Sequence, residues 1–544
     1  MRPTARAGGR LLVAVLCVVF AWAVAPTALA DAPAAGGDLS IAQTLGDREL
    51  TVILRRVTSV PGPLRVEVVS HTGTAAGRLA LDLTPTGASS SARTPAPGAP
   101  ADHGAVDLGA VPGMYSTTLR VDRPGPWELA VGDGSRVARI PFVVPAQIVT
   151  PPERFVYGGF VVAGVLLPVA AVVAIRARRG AWALLPAAGV VAGVAVAVTA
   201  AVLSTSLPLP PQPGIQLDPS VDDVRDPYAA RQPSISDFSR PPVMLSLGGT
   251  PLRAGAPGDL ELRLGDAATG LPVDDLTVVD EAFIHALVVG PSGELAHTHP
   301  IRVAPGTYLL HLTAPEAGHY ALSIEVERRG GGVRMIRAAA GFDVGPGPAD
   351  VRTDFGGHLG RVSGPGTAAE PLRPGLRATA TGDGVPIEIA TTAAAVGSPL
   401  TITAKVGDRA ELQPWLGMVG HMIVAGPVAA GADIGTAVER APVWGHAHSM
   451  GSMGMSADAD GRMANMPGMD HMPAESAPNA DAMLMPPVNG DSAPDETVAA
   501  YGPSVPFTYT FAVPGRYHVW IQVERDYTIL TIPLVLDIPP GGPR

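Results

Sequence analysis

Two short histidine patterns carry the chemistry legible in this sequence. His297 and His299 stand in AHTHP, and His446 and His448 stand in GHAHS. On a β-strand, residues two apart point to the same side, so each pair can offer two imidazoles to one ion. FIHALVVGP (residues 283–291) and VGHMIVAGP (residues 419–427) place His285 and His421 at matching positions upstream of these pairs. A third match follows downstream, GHYALSIEVER (residues 318–328) on GRYHVWIQVER (residues 515–525). Three collinear matches identify a duplicated unit. Each copy therefore carries one histidine and one H-x-H. Imidazole ligates copper, zinc, iron and nickel, which makes His421, His446 and His448 one candidate metal site and His285, His297 and His299 another. The competing reading is structural. His285 shares a strand face with Phe283, Leu287 and Val289, where a core histidine satisfied by backbone groups would sit. His71 and His103 are isolated and read as surface residues, and His311, His319, His358 and His518 have no counterpart in the repeat.

Methionine adds a second element. Of 15 methionines in the chain, nine fall between Met450 and Met485. Met450, Met453 and Met455 follow directly on His448, and Met463, Met466, Met469 and Met472 recur every third residue, with His471 beside the last of them. Pro467-Gly468 forbids a helix there. The tract reads as an insertion between the H-x-H strand and the final hairpin. Thioether sulfur is soft and suits Cu(I), and it survives an oxidising compartment in which cysteine would be lost to disulfides. Mixed His/Met ligation accommodates Cu(I) and Cu(II), so copper is the expected ion, with His421, His446, His448, Met450 and Met453 as the core site and the later methionines as an auxiliary arm.

The small sandwiches ending in PGxYxxxxxV, together with H-A-H-S-M-G-S-M, resemble exported bacterial copper-resistance and copper-trafficking proteins of the CopC-like and YtkA-like kind. The resemblance implies a β-sandwich that binds or delivers copper. Two of the family patterns are not matched. A mature chain starting Asp31-Ala32-Pro33 lacks the N-terminal histidine that the CopC-like Cu(II) site uses, and Asp433 stands where the H-M-x10-M-x21-H-x-M pattern has its first methionine.

Several kinds of element must position these residues. Arg2, Arg6 and Arg10, an apolar run and Ala28-Leu29-Ala30 form a signal-peptide pattern over residues 1–30. Residues 31–150 alternate with period two between Gly/Pro turns and read as a β-sandwich. Residues 155–203 hold two apolar stretches long enough to cross a membrane, separated by Arg176, Arg178 and Arg179. The positive-inside rule makes that loop cytoplasmic and puts both soluble regions outside the cell membrane. Gly189 and Gly193 form a G-x-x-x-G step in the second stretch. A proline-rich linker spans residues 204–240. Two further sandwiches follow at residues 241–346 and 385–540, the last holding the Met/His-rich insertion at residues 446–486. The fold expected is mainly β, three small immunoglobulin-like sandwiches with a two-helix transmembrane hairpin.

Composition excludes several functions. A net charge of -11 with Lys405 as the only lysine leaves no basic stripe for nucleic acid. Cys17, the only cysteine, lies in the signal segment, so thiolate chemistry is absent from the mature chain. No nucleophile elbow, Walker loop, dinucleotide fingerprint or H-E-x-x-H occurs. No glutamate follows either H-x-H at the distance a cupin enzyme uses. The expectation is a non-enzymatic, membrane-anchored copper-binding protein whose partners are the membrane and another membrane or exported metal-handling protein. The alternative is an extracytoplasmic immunoglobulin-like interaction protein without metal. A zinc- or copper-dependent enzyme stands third.

Overall fold

The computed structural model describes residues 38–57, 59–86, 100–144, 151–177, 180–204, 242–328, 332–347, 358–449 and 494–541. The signal segment, the proline-rich linker, Arg178, Arg179 and the tract from Met450 to Met485 lie outside them. The protein is mainly β and divides into two compact units, a helical one within residues 146–212 and a β one built from residues 36–145 and 233–544.

In the helical unit, Pro151–Arg176 and Leu184–Ser204 are joined through the short turn Gly180–Ala183. Their apolar spans, Arg154–Arg176 and Ala181–Leu203, have mean hydropathies of 2.5 and 2.1, and both are long and apolar enough to cross a membrane. Phe160, Val161, Leu167, Val191 and Leu203 are exposed on their outer faces. The helices meet at glycine. A Cβ on Gly159 would lie 2.4 Å from the carbonyl oxygen of Gly193, and one on Gly193 would lie 2.7 Å from that of Gly159. Gly189 packs on Leu166. The G-x-x-x-G step thus lies on the helix contact, where the missing side chains let the backbones approach.

The β unit holds three immunoglobulin-like sandwiches. In the first, Leu39–Leu45, Arg48–Leu54, Gly62–Ser70 and Gly113–Val121 form one antiparallel sheet, and Asp102–Leu108, Gly77–Pro85, Gly125–Gly132 and Val137–Val144 form the other. Alternation does this locally. In Gly77–Pro85, Leu79, Leu81 and Leu83 are fully buried while Arg78 and Asp82 point outward. The second sandwich pairs a four-stranded sheet (Ile301–Ala304, Thr307–Thr313, Pro257–Asp266, Val243–Gly249) with a seven-stranded one centred on Gly318–Arg328. The third pairs a five-stranded sheet with a six-stranded sheet centred on Gly515–Arg525 and Thr528–Ile538. It also takes in His358–Leu359, Arg361–Ser363 and Arg377–Gly382, upstream of the residue 385 start read from sequence. Those strands bury mainly alanine, as in RATATG, which leaves little hydrophobic signal to read.

One apolar core runs through the first and second sandwiches, and the third has its own. A separate cluster joins the second to the third: Leu287, Val289, Leu295 and Ala321 against Ile423, Ala425, Val438 and Trp520. Each large side chain removed from water there contributes about 1.5–3 kcal/mol. The two duplicated modules therefore bury corresponding sheet faces against each other.

Candidate metal centre

The duplicated strands sit in matching registers. In the second sandwich, His285–Val289 lies between Leu295–Thr298 and Gly318–Arg328, with Leu287 opposite His297 and His285 opposite Glu325. In the third, Gly420–Gly426 lies between Val443–Ser449 and Gly515–Arg525, with Ile423 opposite His446, His421 opposite His448 and His421 opposite Gln522. His285 shares its face with Leu287 and Val289, as its strand position requires. That face is the one buried between modules rather than the core of its own sandwich. Phe283, two residues before the strand starts, belongs to the sandwich core instead.

Each triad converges. One ligand nitrogen from each of His285, His297 and His299 lies within 4.8 Å of the other two, and the same holds for His421, His446 and His448. The hydrogen bonds fix which nitrogens these are. His285 Nε2 is 2.9 Å from the Val279 carbonyl, which accepts only, so Nε2 carries the proton and Nδ1 presents its lone pair. His297 Nδ1 donates to Gln522 Oε1 at 2.9 Å, while the Gln522 amide nitrogen donates to Thr531 Oγ1, so His297 Nε2 presents a lone pair too. These two lone pairs face each other at 3.1 Å. In the second triad, His421 Nε2 donates to the Trp415 carbonyl at 2.9 Å, His446 Nδ1 donates to the Glu325 carboxylate at 2.6 Å, and His421 Nδ1 meets His446 Nε2 at 3.3 Å. The remaining nitrogens, His299 Nε2 and His448 Nε2, are buried with no hydrogen-bond partner.

Lone pairs in contact repel unless a cation lies between them. A proton is disfavoured, because burial and then the neighbouring imidazoles push His285, His297, His421 and His446 well below the ordinary histidine range. A metal ion fits. Two nitrogens each about 2.0–2.1 Å from a tetrahedral ion lie about 3.3 Å apart, close to the separations found. The far nitrogens of five of the six ligands are held by a carbonyl, amide or carboxylate oxygen, the arrangement that fixes the tautomer and aims the ring at a metal. Three neutral imidazoles leave an open fourth position in a tetrahedral site.

The outer partners are exchanged between modules. Gln522 of the third sandwich holds His297 of the second, and Glu325 of the second holds His446 of the third. The triads adjoin, with the His297 and His446 rings 5.1 Å apart and perpendicular. Trp415 lies edge-on to His297, His299 and His421.

The first sandwich closes one triad. Glu49 accepts from His299 Nδ1 at 2.6 Å, and Thr44 bonds the His299 backbone through its own N–H and hydroxyl. The corresponding partner of His448 is Asp280 at 3.5 Å, and the His448 side chain remains 22% exposed. His299 is 1% exposed.

The first sandwich also brings a histidine that the sequence reading misplaced. His71 is not on the surface. It is 2% exposed, with Nδ1 2.6 Å from Glu524 of the third sandwich. Isolation in sequence does not reveal a partner 453 residues away. Burial would lower its pKa, but the charges of Glu524 and then Glu496 push it up to about 9. His103 is exposed, as expected. His311 bonds Asp259 and Asp47, and His319 bonds Asp343 and Glu439.

Of the residues singled out in the sequence, the structure gathers all six aligned histidines. Met450, Met453, Met455, Met463, Met466, Met469, His471 and Met472 lie outside the described residues. Sequence reasoning missed Glu49, Asp280, Glu325, Gln522 and Trp415. Glu325 and Gln522 do occupy equivalent positions in the third repeat match, and that alignment of two polar residues was the available signal.

No family model matches the sequence, and no curated protein matches it. Among solved structures, the chain is similar to Escherichia coli alpha-2-macroglobulin at 12% identity over 91% of its length and 26% of that chain, with a TM-score of 0.16. It is similar to a tetra-tandem repeat from the extending region of a large adhesion protein at 11% identity, covering 92% of this chain and 74% of that one, with a TM-score of 0.15. The Escherichia coli adhesin FdeC matches at 11% identity, 95% and 100% coverage and a TM-score of 0.14. The chain thus spans about a quarter of the first of these proteins, and likenesses at these scores assign no function.

Proposed function

We propose that this chain binds transition-metal ions, copper foremost, outside the cytoplasmic membrane at two adjoining three-histidine sites. The observation that carries the reading is the facing pair of lone pairs on His285 Nδ1 and His297 Nε2, 3.1 Å apart and buried. Copper is favoured over zinc by the thioether-rich sequence that follows His448, which supplies ligands suited to Cu(I) and, with imidazole, to both oxidation states. The residues from Met450 to Met472 serve in this reading as a capture or transfer arm. The two apolar helices anchor the protein in the membrane. Contact between Glu49 and His299, which joins sequence on either side of the helices, supports a topology with both soluble regions on one face of the membrane and the arginine turn on the other. A further exported or membrane protein delivers or receives the ion.

The test is competitive titration of the purified full-length chain in detergent with Cu(I), Cu(II) and Zn(II) against a chelator. Copper retained at about two tight ions per chain, and lost on replacing His297 and His446 together, supports the reading. A chain that retains no ion and melts at an unchanged temperature on metal addition overturns it, leaving an anchored interaction protein built of immunoglobulin-like modules.

A further inference from the structure

The two triads differ in the charge around them. His446 Nδ1 donates to Glu325, and His448 Nδ1 lies 3.5 Å from the Asp280 carboxylate. His299 Nδ1 donates to Glu49, but His297 is held by the neutral amide of Gln522. Glu325 and Gln522 occupy the same place in the repeat, each directly opposite the first histidine of its own module, and each turns onto the central histidine of the other. The swap of a carboxylate for an amide at this position is a chemical difference between the two shells beside the difference in how closely an acid approaches His299 and His448.

Other charges nearby offset one another or are suppressed. His71 and Glu524 pair at 2.6 Å, and Glu281 and Glu496 are buried together, which pushes both carboxyls up towards the neutral form. Burial raises Asp280 and Glu325 as well, and Glu325 also lies opposite His285, but by direct contact with ring nitrogens two acidic side chains stand at the His421 triad and one at the His285 triad. With rings of the two triads 5.1 Å apart, ions in both would repel across a poorly screened gap. Two divalent ions repel twice as strongly as a divalent and a monovalent ion at the same separation.

We infer that the two sites take ions of different charge, a divalent ion at His421, His446 and His448 and a monovalent ion at His285, His297 and His299; this rests on the metal-binding reading above. The three outer carboxylates match the total charge of that pair. Gln522 and Glu325 are positioning residues that set the preference, since a carboxylate behind an imidazole raises its basicity as a ligand and places a negative charge near the ion.

Full-length protein in detergent, given Zn(II) and Cu(I) together under nitrogen in the presence of a chelator, tests the assignment without any change of oxidation state. The wild-type chain is expected to retain one tight Zn(II) and one tight Cu(I). Glu325→Gln should weaken Zn(II) by about 10–100-fold and leave Cu(I) in place. Gln522→Glu, of nearly the same shape, should let a second Zn(II) displace the tight Cu(I). His297→Ala should release Cu(I) and keep Zn(II). Two Zn(II) ions held with equal affinity by the wild-type chain in the presence of Cu(I), a Glu325→Gln chain that binds Zn(II) unchanged, or loss of Zn(II) from His297→Ala would each overturn the charge assignment while metal binding stands. Retention of neither ion would remove the metal reading itself and the assignment with it.

Discussion

The second and third sandwiches present equivalent histidines from the same pair of neighbouring strands, yet one triad is sealed and the other is not. Around His285, His297 and His299 the first sandwich supplies Glu49 and Thr44, and all three rings are buried. Around His421, His446 and His448 the corresponding acid is distant, and His448 keeps contact with solvent at the end of a strand that leads into the methionine tract. Duplication supplied two equal ligand sets. The docking of the first sandwich against one of them made them unequal, sealing the second module's triad and leaving the third module's His448 open to solvent.

The strongest way to break this comparison is to remove ligands. His297→Ala and His446→Ala should each cost on the order of 1000-fold in affinity at their own site, measured by chelator competition; equal loss at both sites from either change would mean one shared ion rather than two sites. Next comes pH, which acts where the first sandwich meets the third. His71 has a folded pKa of about 9 against an unfolded value of 6.5, so its stabilisation is complete below pH 6.5 and is lost as pH rises through 9. The loss is on the order of 3 kcal/mol. Glu496, pushed up to about 7 by burial, loses stability in the same direction between about pH 4.5 and 7. Chemical denaturation of the wild-type chain at pH 6 and 9.5 should show the fall, and His71→Gln should flatten it in the upper half of that window; an equal pH slope in the variant would refute the assignment. Glu49→Gln should then weaken metal binding by about 10–100-fold at the His285 triad only, read by titration against the untouched His421 triad. The smallest effect is expected from Asp280→Asn, roughly fivefold or less at the His421 triad, because its contact with His448 is long and partly exposed. A larger effect there than from Glu49→Gln would reverse the picture of a sealed and an open site.

The ligands were legible in the sequence because duplication makes them so. One histidine and one H-x-H recur in the same order between matching strands, and period-two alternation says which side they face. What faces them was not legible. The structural alternative in the sequence reading treated the face of His285 as the sandwich core, but it is the surface where two modules meet, and an amphipathic pattern is the same whether its apolar face is covered by its own domain or by another. Glu49, Asp280, Glu325 and Gln522 each reach their histidine from a different module, and no local spacing encodes such a contact. The fold was easier to read, because Gly/Pro turns and alternation are local. Even so, the weak alanine strands at the start of the third sandwich were passed over.

The pairing of His71 with Glu524 also has a meaning in time. During synthesis the first sandwich emerges long before the residues it must grip, with both apolar helices and two more domains still to be made. Non-local pairing of this kind is slow, because distant chain ends must meet before the contacts reward it. The sealed triad is therefore the last part of the molecule to be completed. A nascent chain presents His285, His297 and His299 before Gln522, which stands behind His297, has been made. In the metal-binding reading proposed above, only a finished chain has both triads backed by their outer partners.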